Sequence, residues 1–209
     1  MGPPMSFSRR LVLFLPLAIA AAPRMTRAAD GGAEAVALIE RFYAQLLAEM
    51  KQAKRLTFDQ RYSILAPAIE QTFDLPLMTR IAVGPGWAQL SAEQQQRIFA
   101  AFTRYTISNY ASRFDGYGGE RFEVSPTAAA NVNGVIVNSR LVKSNGEPIT
   151  LNYLMHQGSA GWKVIDVYLS GTVSELAARR SEFVAVLQRS GADGLVQLIE
   201  QKSAALRAG

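Results

Sequence analysis

The chain has 209 residues and no cysteine, which excludes disulfides, thiol catalysis and thiolate-ligated metals. Its 22 Lys+Arg against 17 Asp+Glu give a net charge of +5, yet Arg9, Arg10, Arg24 and Arg27 all precede Asp30 and no acid does. The rest of the chain therefore carries 18 bases and 17 acids, a net +1 without basic runs, which excludes nucleic acid as a partner.

Residues 1–29 read as a cleaved export signal: Arg9-Arg10, an apolar run from Leu11 to Ala22, then the small pair Ala28-Ala29. The run is shorter than the roughly 20 residues a membrane span needs, so an uncleaved anchor is the weaker reading. Ser8-Arg9-Arg10-Leu11-Val12-Leu13 is also similar to a twin-arginine signal, and the general secretory route stays open beside it. Residues 30–209 form one domain, placed in the periplasm by that signal.

Within it, residues 34–114 are helical. Val36, Leu38, Ile39, Phe42, Leu46 and Met50 recur at helical spacing. Thr57-Phe58-Asp59-Gln60 is a capping box for a short helix through Ala66, and Pro67 begins a new one running to Phe73. Asp74 caps a helix with Leu77, Met78 and Ile81 that Gly84-Pro85-Gly86 ends. Ser91-Ala92-Glu93-Gln94 caps a helix to about Phe114, aromatic on one side through Phe99, Phe102, Tyr105 and Tyr110.

Residues 120–170 change to a period of two. Four strands are predicted at 121–125, 132–142, 149–157 and 162–169, the last three joined by tight turns into an antiparallel meander. Residues 172–207 return to helix: Thr172-Val173-Ser174-Glu175 opens one, Gly191 stops it, and Asp193 caps the last. The pattern is α+β: several helices packed on a curved antiparallel sheet of about four strands.

Catalytic constellations are sparse. His156 is the only histidine and alternation turns it away from Leu151 and Met155, so it reads as structural or solvent-facing rather than as a base. Neither a metal-ligand cluster, a nucleophile elbow nor a phosphate-binding glycine loop is present in the sequence. Asp166, between Val164 and Tyr168, points by alternation to the apolar face, where a carboxyl of raised pKa could act as acid or base. The structural reading is favoured: pairing with Arg104, Arg113 or Arg140, or with amides at a helix start. Arg179-Arg180 and Lys51, Lys54 and Arg55 read as solvated helix surface.

Ala66 to Leu75, Val83-Gly84-Pro85-Gly86-Trp87, Leu90 to Gln94 and Phe99 to Phe102 together resemble the toluene-tolerance (MlaC) family. So do Gly161 to Val167, Gly171 to Ser174, and Phe183 to Gly191 followed by Asp193-Gly194-Leu195, in the family's order across 35–205. Gln60-Arg61-Tyr62, Arg121 to Pro126 and Gln188-Arg189-Ser190 are similar to the branch associated with hopanoid biosynthesis (HpnM).

The resemblance implies a nuclear-transport-factor-like fold with extra helices around a deep apolar pocket for acyl chains. It implies a phospholipid or hopanoid ligand, no cofactor and no catalysis. It also implies a carrier, expected as a monomer, moving lipid between an inner-membrane ABC transporter complex and an outer-membrane lipoprotein complex. Strand alternation then nominates Val135, Val137, Leu151, Tyr153, Met155, Val164 and Tyr168 as one wall of the pocket. Helical faces nominate Phe42, Leu46, Phe73, Met78, Ile81, Phe99, Phe102 and Tyr105 as the other. Two rivals stand beside this: a pocket enzyme using Asp166 with Tyr168 or Tyr153, and an interaction module with a filled core.

Overall fold

A computed structural model of the chain describes Gly2 and residues 26–208. Most of the expected export signal therefore lies outside the described residues. The first helix, α1, spans Thr26–Met50 and buries Ile39, Phe42 and Leu46. A short 3-10 turn, Ala53–Arg55, leads to α2, Phe58–Thr72. There the expected capping box is formed: Gln60 N donates to Thr57 Oγ1 at 3.3 Å and Thr57 N to Gln60 Oε1 at 2.8 Å.

Pro67 was expected to start a new helix, but α2 runs through it. The one backbone bond that proline removes is offset by burial of Leu65, Ala68 and Ile69 around it. Helix α3, Leu75–Val83, is capped by Asp74, whose Oδ1 accepts from Leu77 N at 3.0 Å. A second 3-10 segment, Gly84–Gln89, precedes α4, Ala92–Arg113, which carries the Ser91–Gln94 capping box.

Five antiparallel strands follow as one meander in chain order: β1 Arg121–Asn131, β2 Gly134–Val142, β3 Pro148–Gly158, β4 Gly161–Leu169 and β5 Val173–Ser174. The fifth was not anticipated, because Val173-Ser174 was read as part of a helix cap. The helix begins instead at Glu175, with Ser174 Oγ accepting from Ala177 N at 2.9 Å. This last helix, α5, runs from Glu175 to Ala208 with a kink at Gly191 (φ 65°, ψ −168°), where the sequence predicted a break. Asp193, expected to cap the second half, pairs with Arg97 of α4 at 2.7 Å.

The helices cover the sheet face that carries Val137, Tyr153, Met155 and Val164, each at most 1% exposed. Between them lies an aromatic cluster. Phe42 meets Phe73 and Tyr110 edge-on at 5.4 and 5.5 Å, and Tyr43 stacks on Phe122 at 4.1 Å. The Tyr43 hydroxyl bonds Ser139 Oγ at 2.7 Å, and burial pushes its phenol up to about 12. Among the described residues, no helix is long and apolar enough to cross a membrane.

A β-bulge corrects the phase of β4. Met155 pairs with Val164 but Leu154 pairs with Asp166, leaving Ile165 as the extra residue. Strict alternation would keep Val164, Asp166 and Tyr168 on one face. The bulge instead turns Val167 and Leu169 inward, opposite Tyr153 and Leu151, and puts Asp166 and Tyr168 on the other side.

Candidate functional site

A partly open cavity lies between the inner face of the sheet, α3, the C-terminal half of α4 and the first turns of α5. Its walls are apolar: Phe73, Met78, Phe102, Tyr110, Phe114, Leu151, Tyr153, Val167 and Leu169. Its volume is about 80 Å³, roughly half that of an engineered cavity of about 150 Å³ that admits benzene. Tyr153 is fully buried and Tyr110 partly so, and burial raises both phenols above their ordinary value of 10.0.

The polar lining groups are all at least partly exposed and so belong to the open side, or mouth, together with the partly exposed Tyr110, Phe114, Val167 and Leu169. Thr106, Asn109 and Arg113 come from successive turns of α4, and Glu175 and Arg179 from the first turns of α5. Arg179 Nη2 donates to Glu175 Oε2 at 2.6 Å, and its guanidinium lies over the Tyr105 ring, 5.2 Å from the centroid. Arg113 is exposed, and its Nε donates to the neutral Asn109 Oδ1 at 2.9 Å. The site is thus an apolar chamber with two guanidiniums and one carboxylate at its mouth.

Of the fifteen residues nominated from the sequence, five line this chamber: Phe73, Met78, Phe102, Leu151 and Tyr153. Phe42, Leu46, Val137, Met155 and Val164 are buried core behind the walls, and Ile81 and Val135 pack against that core. Tyr168 faces away because of the bulge. Tyr105 holds Arg179 at the rim, its hydroxyl accepting from Nε at 3.5 Å. Phe99 faces an outer groove between α2 and α4, with Tyr62, Thr103 and Arg104, and Phe73 borders both that groove and the chamber. The sequence reading missed Tyr110 and Phe114 as lining residues, although both continue the aromatic stripe of α4. It also missed the polar mouth.

The two residues weighed for chemistry are both structural. Asp166 accepts from Val167 N at 2.8 Å, from Leu176 N at 3.2 Å and from the Ser174 hydroxyl, so it caps α5, as the helix-start reading expected. His156 Nε2 bonds Asp74 Oδ2 at 2.8 Å and ties β3 to the cap of α3. Among the described residues, no three His, Cys, Asp or Glu side chains come close enough to hold a metal.

Residues 40–201 match the family described as MlaC protein. The chain belongs to the MlaC family. A curated relative in Haemophilus influenzae, the intermembrane phospholipid transport system binding protein MlaC, is 26% identical over 125 residues, covering 58% of each chain. The chain thus spans less than two thirds of that relative's length. A solved structure of the phospholipid-binding protein from Ralstonia solanacearum, in complex with a phospholipid, is 29% identical. It superposes with a TM-score of 0.72 over 82% of this chain and 98% of its own. The MlaC fold of helices on an antiparallel sheet is accordingly the architecture described above.

Proposed function

We propose that this protein is a periplasmic carrier that holds the acyl chains of a phospholipid in the chamber and leaves the headgroup at its mouth. The observation that supports this most is the make-up of the site: nine apolar or aromatic side chains line it, and its charged side chains, Arg113, Glu175 and Arg179, are all at least partly exposed. The one carboxylate in the lining, Glu175, is tied to Arg179 at 2.6 Å, an arrangement that suits holding a polar group rather than moving a proton.

Burying one sixteen-carbon chain is worth about 12 kcal/mol, at about 0.8 kcal/mol per methylene. Two such chains exceed the practical ceiling of about 18–21 kcal/mol for non-covalent affinity, so part of the sum is offset by the cost of opening the site. Release into water remains very slow. Hand-over therefore requires docked partners, an inner-membrane ABC transporter complex on one side and an outer-membrane lipoprotein complex on the other.

The test is native mass spectrometry of the protein recovered from a Gram-negative periplasm after expression of the full chain. Organic extraction and identification of the bound mass would follow. One phospholipid per protein supports the carrier. A hopanoid, in a host that makes one, would transfer the protein to the hopanoid-associated branch. A mass without lipid, where a phospholipid carrier handled alike keeps its cargo, would sink the reading.

A further inference from the structure

The geometry points to Arg113 and Arg179 as a headgroup subsite that binds the lipid phosphodiester, with Glu175 as the resident anion that the phosphate replaces. This deepens the carrier reading and rests on it. It does not follow from the apolar chamber alone, which would accept chains on any headgroup or on none.

Three observations converge. First, the charged members of the lining, Arg113 of α4 and Glu175 and Arg179 of α5, are all at least partly exposed, and apart from Thr106 and Asn109 the rest of the lining is apolar or aromatic. Second, the two guanidiniums differ in their compensation. Arg179 is charge-paired with Glu175, whereas Arg113 bonds only the neutral Asn109 and forms no ion pair among the described residues. The mouth thus carries one uncompensated positive charge, matching the single negative charge of a phosphodiester.

Third, Arg179 is already fixed for recognition. Its side chain is only 17% exposed and lies against the Tyr105 hydroxyl and ring, contacts that the exchange of Glu175 for a phosphate leaves in place, so little freedom remains to be lost on binding. The amides at the start of α5 are no rival anion site, because Asp166 and Ser174 already occupy them. Arg113 also lies in the last turn of α4, where a cation interacts favourably with the helix C-terminus. That role explains a basic residue there but needs no opening beside it.

A phosphate at the mouth would accept from both guanidinium forks and oblige Glu175 to swing toward solvent. Opposite signs follow for opposite charges. Arg113→Gln and Arg179→Gln should each weaken binding of dihexanoylphosphatidylglycerol about tenfold, as expected for loss of a charge-assisted contact. Glu175→Gln should strengthen it. None of the three should shift binding of dihexanoylglycerol, which has the same chains and no phosphate.

Titration calorimetry of delipidated protein with both compounds decides, and Arg113→Gln is safe for the fold because the side chain is exposed. Equal effects on the two lipids, or weaker phospholipid binding in Glu175→Gln, would overturn the subsite while leaving the carrier intact. Wild-type protein that binds neither compound would overturn the carrier reading and the subsite with it.

Discussion

Glu49 is the least comfortable residue in the fold. It lies at the end of α1, 1% exposed, and neither carboxyl oxygen has a hydrogen-bond partner. Burial pushes its pKa up to about 7, against a smaller opposing pull from Arg61 and a further push from Asp115. The folded state therefore holds a proton that the unfolded chain releases near the ordinary value of 4.5. That preference is fully present below about 4.5 and is lost as pH rises through about 7. Glu49→Gln, which copies the protonated shape, should be close to neutral at pH 5 and stabilising at pH 8 by on the order of 2 kcal/mol. Urea unfolding of both proteins at the two pH values checks this, and parallel profiles would show that Glu49 ionises freely in the native state. None of this was legible in the sequence. A glutamate late in an amphipathic helix normally faces water, and only α2 and the loop after α4 bring Arg61 and Asp115 near it.

At the scale of elements, what local chemistry dictates was readable and what partners dictate was not. Thr57, Asp74 and Ser91 cap helices within three residues of themselves, so their role is written in the sequence around them. Strands β2, β3 and β4 follow from a period of two, but the bulge at Ile165 depends on how β4 pairs with β3. One extra residue was enough to turn Tyr168 out of the site and Val167 and Leu169 into it. The mouth was misread for a related reason. Arg179 reads in the sequence as solvated surface and Arg113 as one candidate partner for Asp166, because only the packing of α4 and α5 brings both into one lining.

Closeness of strands also makes Gly134 irreplaceable. It opens β2 at φ 144°, and a Cβ there would come within 1.9 Å of the Met155 carbonyl oxygen on β3. Backbone cannot yield as a side-chain tip can, so Gly134→Ala must part the β2–β3 ladder at this end. The expected cost is about 3 kcal/mol. Gly146→Ala is the control: φ is 87° but nothing lies within 4 Å, so only the conformational penalty of about 1 kcal/mol applies. Chemical denaturation of the two variants compares them, and equal losses would mean that the Met155 contact relaxes without cost.

For the whole molecule the decisive quantity is the mismatch between chamber and cargo. A space of about 80 Å³ cannot take up an acyl chain unless the walls move, and interiors are packed too densely for that to be free. Phe73 is where movement would matter most. It ends α2, is 2% exposed, meets Phe42 and Tyr110 edge-on, and separates the chamber from the outer groove that Phe99 lines. If chains extend past this ring, its displacement is a cost that loading must overcome in every cycle. Phe73→Ala removes the obstacle in advance. Without lipid the variant should lose about 3–5 kcal/mol of stability, the usual cost of deleting a buried phenylalanine. With a saturating phospholipid it should recover more stability than wild type gains, because the same free energy that opened the chamber now appears as affinity. Thermal unfolding of both proteins, with and without dihexanoylphosphatidylglycerol, reads this directly. A larger lipid-induced rise in Tm for Phe73→Ala supports a ring that gates the chamber. An equal or smaller rise would mean that chains stop short of Phe73 and that the chamber opens toward α5 instead.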